Sequence, residues 1–345
     1  MGKEQMSRKI KNILVTGAGG FIGGHLVKRL LKDGYNVVGA DIKPLEYWFQ
    51  KFDKAKNFSM DLNDYDNCLK VTKNIDGVYN LACNMGGMGF IENNKAECML
   101  SVLINTNLLR ASKINDVVKY LYSSSACVYN QNLQEETFIN GLEEKHAYPA
   151  NPEDGYGWEK LFSERMCRHF FEDYGMETRV VRYHNVYGPY GTFDGGREKA
   201  PAAISRKIIE ARMNGKDFID IWGDGNQTRS FLYIDDCIEG TLKLFESNHR
   251  EPINIGSDEQ VSINQLVDVV EKISKSNHKL NRNYQPDKPL GVRGRSSNNK
   301  KLIEVLKWNY TIKLEEGMKK TYEWIYDSLN SNDMSIKKFT KSELK

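Results

Sequence analysis

Tyr156 and Lys160 stand four residues apart in "GYGWEK", the spacing that puts two side chains on one face of a helix. A tyrosine hydroxyl ordinarily releases its proton near pH ~10, so it is a poor base at neutrality unless a cation stabilises the phenolate. Lys160 can supply that cation, and Ser125, at the end of "VVKYLYSSS", a further donor. Together the three can take the proton of an alcohol as a hydride departs. Tyr-x-x-x-Lys alone is common in helices, where a solvated lysine beside a packed tyrosine is the plainer account. "LYSSSACVYN" adds Cys127, two residues past Ser125. An inert buried thiol is the ordinary reading of such a residue, and it is the one adopted for Cys68, Cys83, Cys98, Cys167 and Cys237.

A hydride needs an acceptor. "TGAGGFIGGHL" spaces Gly17, Gly20 and Gly23 as G-x-x-G-x-x-G between a strand and a helix. Backbone amides there can approach a pyrophosphate with no β-carbon in the way, and the helix N-terminus points its unpaired N–H groups at that charge. A glycine trio by itself is a weak signal, since a tight structural turn produces it too. Asp41, at the end of the next strand and 24 positions beyond Gly17, strengthens it. A carboxylate there accepts hydrogen bonds from ribose hydroxyls and repels a 2′-phosphate, which favours NAD over NADP.

The elements that must hold these groups follow an alternating pattern. Short β-branched runs at 12–17, 36–41, 57–62, 77–83, 117–124 and 178–185 are separated by helical stretches such as "IGGHLVKRLLKDG" and "GWEKLFSERMCRHFFEDYG". Such βαβ alternation predicts an α/β fold, a Rossmann-type doubly wound parallel sheet covered by helices on both faces. Beyond 185 come a loop-rich stretch, a helix in "PAAISRKIIEAR", a strand in "FIDIWGDGNQ", a helix near 235–246 and a strand in "EPINIGS". The expected division is a cofactor domain of 11–185 plus about 235–257, a smaller, mostly C-terminal substrate lobe of 186–234 plus 258–330, and a polar tail of 331–345.

Composition excludes several classes. The 345 residues are 40% hydrophobic and 28% charged, and the 49 basic and 46 acidic residues, net +3, are mixed rather than striped. That argues against nucleic acid as a partner. No run reaches the ~18 to 20 apolar residues a membrane span needs, and the basic start lacks a cleavage site. Six scattered cysteines with no Cys-x-x-Cys spacing read as reduced thiols. A cytoplasmic enzyme with neither membrane nor metal site is the expectation.

From residue 11 to about 330 the chain resembles an extended short-chain dehydrogenase/reductase acting on a sugar nucleotide. More narrowly, "GGMGFI", "SSACVY", "HNVYGPYGT", "GGREKAPAA", "WGDGNQTRSF", "NIGSDE" and "GVRGR" resemble the motifs of the GDP-mannose 3,5-epimerase family. "GGREKAPAA" is far rarer than the cofactor glycines and carries most of the narrow resemblance. It implies an NAD-dependent isomerase that takes a GDP-sugar. Oxidation at C4 makes a ketone between C3 and C5, so a proton at either carbon becomes removable as the carbanion delocalises into an enolate.

The resemblance implies Cys127 as the base and Lys199 as the opposing acid, with Tyr156, Lys160 and Ser125 for the redox step. A thiol lowered by nearby positive charge becomes a usable base near neutrality, and an ammonium can donate a proton and stabilise the enolate. The implied cofactor set is Gly17, Gly20, Phe21, Ile22, Gly23, Asp41, Asp61, Tyr156 and Lys160. On the substrate side stand Gly86, Ser125, Asn185, Glu198, Lys199 and Gln227, with Lys207, Arg229 and Arg293 as diphosphate donors. Without the accompanying motifs, Lys199 reads as a solvated loop lysine and the arginines as surface charges. A homodimer packed through two helices of each subunit is implied as well.

Two departures stand out. Ser101 occupies the position, six before Asn107, where the resemblance leads one to expect asparagine, and Asn130 follows Tyr129 in place of proline. Asn130 leads into the divergent segment "QNLQEETFINGLEEKHAYPAN", which borders the expected sugar pocket. A 4-epimerase, a 4-dehydrogenase or a 4,6-dehydratase would share the redox cycle. A dehydratase wants a carboxylate pair where Ala126 and Cys127 stand, and a non-catalytic NAD-binding module would be expected to lose Tyr156 or Lys160.

Overall fold

The computed structural model describes residues 9–276 and 278–331; the expected tail at 331–345 lies outside them apart from Ser331. The strands are β1 (Asn12–Thr16), β2 (Asn36–Asp41), β3 (Lys56–Ser59), β4 (Gly77–Asn80), β5 (Lys119–Ser125), β6 (Glu177–Tyr183) and β7 (Val186–Tyr187). Then follow β8 (Phe218–Trp222), β9 (Thr228–Ser230), β10 (Leu232–Tyr233), β11 (Ile253–Ile255), β12 (Gln260–Ser262), β13 (Asn281–Gln285) and β14 (Gly294–Arg295). The helices are α1 (Phe21–Lys32), α2 (Tyr65–Thr72), α3 (Met88–Asn93), α4 (Lys95–Leu100), α5 (Val102–Ile114), α6 (Asp154–Tyr174), α7 (Ala200–Met213), α8 (Ile234–Glu246), α9 (Ile263–Ile273), α10 (Lys300–Leu306) and α11 (Leu314–Asn330).

Seven strands make one parallel sheet in the order β11-β6-β5-β4-β1-β2-β3. Its central strands are buried on both faces: β4 along its whole length and β1 at all but its first residue. That is why they read as continuous apolar runs rather than as alternation. One face packs Leu108, Leu109, Val71 and Cys167 from α5, α2 and α6. The other packs Leu26, Val27 and Leu30 of α1 with Ile234, Ile238 and Phe245 of α8. The apolar cluster on the second face continues into Ile204, Ile208, Leu266, Val270, Met318 and Ile325 of α7, α9 and α11. The sheet and the later segments therefore share a single core.

Strand order reverses between β1 and β4, and a crevice opens at the carboxyl ends of strands at such a point. Side chains lock the two strands there. Thr16 Oγ1 donates to Asn80 Oδ1 at 2.8 Å and accepts the Leu81 N–H at 3.2 Å. The later chain adds a β12-β9-β14 sheet and the parallel pairs β10-β7 and β13-β8. β11 returns to the edge of the main sheet beside β6. Among the described residues no helix is long and apolar enough to cross a membrane.

Candidate active site

At the β1–α1 turn Gly17 has φ +68°, the left-handed region, and a β-carbon on it would stand 3.0 Å from the Leu81 carbonyl carbon. A β-carbon on Gly23 would lie 2.1 Å from the Gly17 carbonyl oxygen. The third glycine is thus what lets α1 close on the turn. Gly20 caps α1 without any side-chain hydrogen bond, which leaves the first-turn amides uncapped by their own N-cap residue. Asp41 accepts the Gly19 N–H at 3.0 Å and the Lys43 N–H at 3.0 Å. Burial pushes its carboxyl up, against Lys43 and the backbone donors. A cradle that a methyl would fill, open helix amides and a carboxylate at the end of β2 fit a dinucleotide. Phe21 and Ile22 open α1, while Asp61 lies past β3 and is exposed, accepting the Asn63 N–H.

At the end of β5 the next strand's worth of chain turns sharply. Ser125 Oγ accepts the Cys127 N–H at 3.2 Å and lies beside the Tyr156 hydroxyl. Cys127 packs with Ile91, Cys98 and Tyr156, and Cys83 and Phe90 cover that cluster. α6 brings Tyr156 and Lys160 in, and a β-carbon on Gly157 would meet the Cys127 carbonyl at 2.4 Å. This glycine is what lets α6 lie against the turn. Lys160 Nζ stands 5.5 Å from the Tyr156 ring centroid.

Burial, reinforced by Cys83 and Cys127, pushes the Tyr156 phenol well above its usual range. In these surroundings Lys160 therefore does not by itself make it a base. Burial pulls Lys160 down, but Cys83 and Glu159 outweigh it and the ammonium is held charged.

The thiol is less simple than the sequence suggested. Arg295 Nη1 lies 3.5 Å from Cys127 Sγ, while Nη2 donates to Glu153 Oε2 at 2.7 Å and Nε to Gln134 Oε1 at 2.7 Å. Burial pushes Cys127 up, and Arg295 opposes without reversing it. The expectation of a thiol lowered by positive charge thus meets a larger desolvation cost. Lys199, the N-cap of α7, moves the opposite way: burial lowers it, against Cys127 and Cys83. Burial thus favours the neutral form of both groups, the thiol and the amine.

The remaining substrate candidates divide. Arg229 joins the buried group: burial lowers it to about 10, with Arg295 and Cys127 nearby, and its guanidinium donates to the carbonyls of Thr228 and Leu290. Asn185, at φ +36°, follows β6 and donates to Ser230 O at 3.2 Å. Glu198 accepts the Gly196 N–H at 2.7 Å and faces Arg206 at 3.5 Å rather than pairing with Lys199. Gln227 donates to Trp222 O at 2.9 Å and leaves its buried Oε1 unpartnered. Gly86 packs on Phe90. Two cations are held apart: Lys207 donates to Asp220 O at 2.8 Å, and Arg293 forks onto Asp224 at 2.9 and 2.8 Å.

Sequence reasoning passed over Arg295, Glu153, Gln134 and Arg197. Arg295 was in plain view in "GVRGR", two residues past Arg293. The Arg293 and Gly294 N–H groups both donate to Gln134 O, at 3.0 and 3.1 Å, and this kink separates the two arginines. Arg197 stacks on Phe90 at 3.8 Å and donates to Asn84 Oδ1 and Met85 O. The departures also find roles. Ser101 Oγ accepts the Asn84 N–H at 2.9 Å, and Asn130 donates to Pro149 O at 3.0 Å, closing the base of the divergent segment. Gln134 from that segment is fully buried against Arg295.

Known proteins resemble this chain over most of its length. Residues 13–256 match the NAD dependent epimerase/dehydratase family. The chain is 46% identical over 324 residues to GDP-mannose 3,5-epimerase 1 of Oryza sativa subsp. indica, covering 94% of this chain and 83% of that protein. It is 45% identical over 318 residues to GDP-mannose 3,5-epimerase of Arabidopsis thaliana, covering 92% and 82%. Among solved structures, UDP-glucose 4-epimerase of Thermotoga maritima with UDP-glucose superposes with a TM-score of 0.81 at 26% identity, over 92% of this chain and 100% of that one. UDP-glucuronic acid 4-epimerase of Bacillus cereus, solved with UDP-glucuronic acid and NAD, gives 0.76 at 29%, over 92% and 99%.

Proposed function

Because the chain belongs to the NAD dependent epimerase/dehydratase family, we propose that this NAD-using enzyme inverts a GDP-hexose resembling GDP-mannose at C3 and C5 through a transient 4-ketone. The observation that carries the reading is the convergence on one crevice of a thiol, an amine and the Tyr156–Lys160 pair, the thiol being clamped by Arg295. The likeness to two plant GDP-mannose 3,5-epimerases at 45–46% identity supports the substrate.

In this reading residues 11–185 and about 235–257 seat the cofactor, and 186–234 and 258–330 seat the sugar nucleotide. The Gly17–Gly23 turn and Asp41 would hold NAD, which would supply the hydride acceptor and donor. Tyr156 takes the C4 hydroxyl proton, with Ser125 orienting it and Lys160 stabilising the phenolate. Cys127 then withdraws the proton beside the ketone, its thiolate favoured by Arg295, and Lys199 returns one on the opposite ring face while its charge steadies the enolate oxygen. Arg229, Gln227 and Asn185 bind the nucleotide side.

The enzyme works as a cytoplasmic homodimer. Support comes from six unpaired thiols, which suit a reducing compartment, and from Leu103 of α5 with Trp158 and Phe162 of α6, which are exposed apolar residues on adjoining helices.

The test is incubation with GDP-mannose in D2O, with deuterium at C3 and C5 read by NMR. Cys127→Ser and Lys199→Ala should each slow exchange by about 10²- to 10⁴-fold, the usual share of an acid or base. An active parent with both variants exchanging at parental rates would overturn the assignment.

A further inference from the structure

Lys160 is 1% exposed, and so is its neighbour Glu159 on the same turn of α6. An ammonium so buried loses its proton readily unless a counter-charge is buried with it. Glu159 Oε2 lies 3.5 Å from Lys160 Nζ. Its other oxygen, Oε1, accepts the Tyr122 hydroxyl at 2.9 Å and the Ser163 hydroxyl at 2.9 Å. Those two donors, from β5 and from the next turn of α6, fix the carboxylate plane. Oε2 is buried without any hydrogen-bond partner and faces the ammonium. The Tyr122 ring completes the enclosure, with its centroid 4.9 Å from Nζ.

We propose that Glu159 is a positioning residue for the redox step: anchored by Tyr122 and Ser163, its carboxylate holds the Lys160 ammonium charged and in place beside Tyr156. The proposal rests on the reading of Tyr156 and Lys160 as the redox pair and goes beyond it by naming what keeps the lysine a cation. The titratable groups facing the ammonium are Cys83, three residues past β4, Tyr122 on β5, and Tyr156 and Glu159 on α6, with Cys98 of α4 and Lys199 at the N-cap of α7 around the Cys83 thiol. Glu159 is the carboxylate among them. The Cys83 thiol also lies near the amine and favours its charged form, so both enter the test.

The sign of the effect is fixed by charge. Removing the carboxylate removes an interaction that favours the ammonium, so Lys160 should lose its proton at lower pH. The same change removes an anion that holds the Tyr156 phenol protonated, so Tyr156 should ionise at lower pH as well. Glu159→Gln is isosteric, and its amide oxygen can still accept both hydroxyls.

With [13Cε]-lysine in the full-length protein, the Lys160 resonance, assigned by its loss in Lys160→Arg, should titrate ~1 unit or more lower in Glu159→Gln than in the parent. Cys83→Ala should move it by less. The pH–rate profile for reduction of bound NAD by the sugar nucleotide should shift toward acid on both limbs, and Glu159→Asp, with the charge one methylene further back, should restore part of the shift. An unchanged Lys160 midpoint in Glu159→Gln, or a larger shift in Cys83→Ala, overturns the proposal. If Glu159→Gln does not fold, Glu159→Asp carries the test, and a parental midpoint there overturns it. The NMR titration uses no substrate, so failure to find exchange at C3 and C5 would strike the proposed reaction and leave this result standing.

Discussion

The two ends of the crevice are built in different ways. At the cofactor end, the groups that matter come from residues 16–41: a turn, the first amides of α1 and one carboxylate. The donors there are mostly main chain, and the selection acts on the absence of side chains. At the sugar end, residues 83, 127, 134, 153, 199 and 295 meet from six separate segments, and the chemistry lies in side chains whose charges depend on one another. The first end is specified by spacing along the chain. The second is specified by which segments the fold brings together, so its charge states exist only in the folded protein.

The contrast can be tested by breaking each end. Arg295→Met should have the largest effect. It leaves Glu153 as a buried, unpaired carboxylate, which costs about 3–5 kcal/mol of stability, and it removes the cation at the thiol. Iodoacetamide labelling of Cys127 should then need higher pH, and chemical denaturation should report the lost stability.

The same pair predicts an acid limb of stability. Burial raises Glu153, but Arg295 outweighs it and holds the carboxyl below its usual value of 4.5. A depressed carboxyl contributes stability that is fully present above the unfolded value and is lost as pH falls through the folded one. Urea midpoints of the parent should therefore fall below pH 4.5, with this contribution absent in Arg295→Met. An identical pH dependence in both proteins would show that the pair is not coupled to folding.

Gly23→Ala should come next. Its β-carbon would lie 2.1 Å from the Gly17 carbonyl oxygen, so α1 must shift, at about 1–3 kcal/mol. NAD affinity, measured calorimetrically, should fall at least about tenfold, since ~1.4 kcal/mol of lost contact is enough for that. Thiol reactivity at Cys127 should change little, which separates the two ends.

Arg293→Lys should do least. Its partner Asp224 is half exposed, and such a surface pair contributes under about 1 kcal/mol. A large rise in KM for the sugar nucleotide would instead make Arg293 a ligand that leaves Asp224 on binding.

The sheet was legible in the sequence because its central parallel strands are buried on both faces and so read as apolar runs between turn residues. Run lengths were overestimated where apolar residues continue past the last paired residue: 57–62 becomes β3, Lys56–Ser59, with Met60 and Leu62 beyond it, and 77–83 becomes β4, Gly77–Asn80, with Leu81, Ala82 and Cys83 beyond it. Tyr156 and Lys160 were legible because helical spacing alone puts them side by side. Arg295 was not, because choosing it over Arg293 depends on a kink made by the Gln134 carbonyl, 159 residues away from Arg293 in the chain. The direction of the Cys127 shift was also hidden, since desolvation depends on what covers the sulfur.

The sequence by itself determined the α/β fold, the glycine turn, the helical pairing of Tyr156 with Lys160 and the family, since each is a matter of residue type at fixed local spacing, where backbone geometry repeats. Tertiary structure alone decided which arginine meets the thiol, which carboxylate accompanies the lysine, and which way each proton affinity moves. Burial and Coulomb interactions depend on distance through space, and chain separation does not encode it.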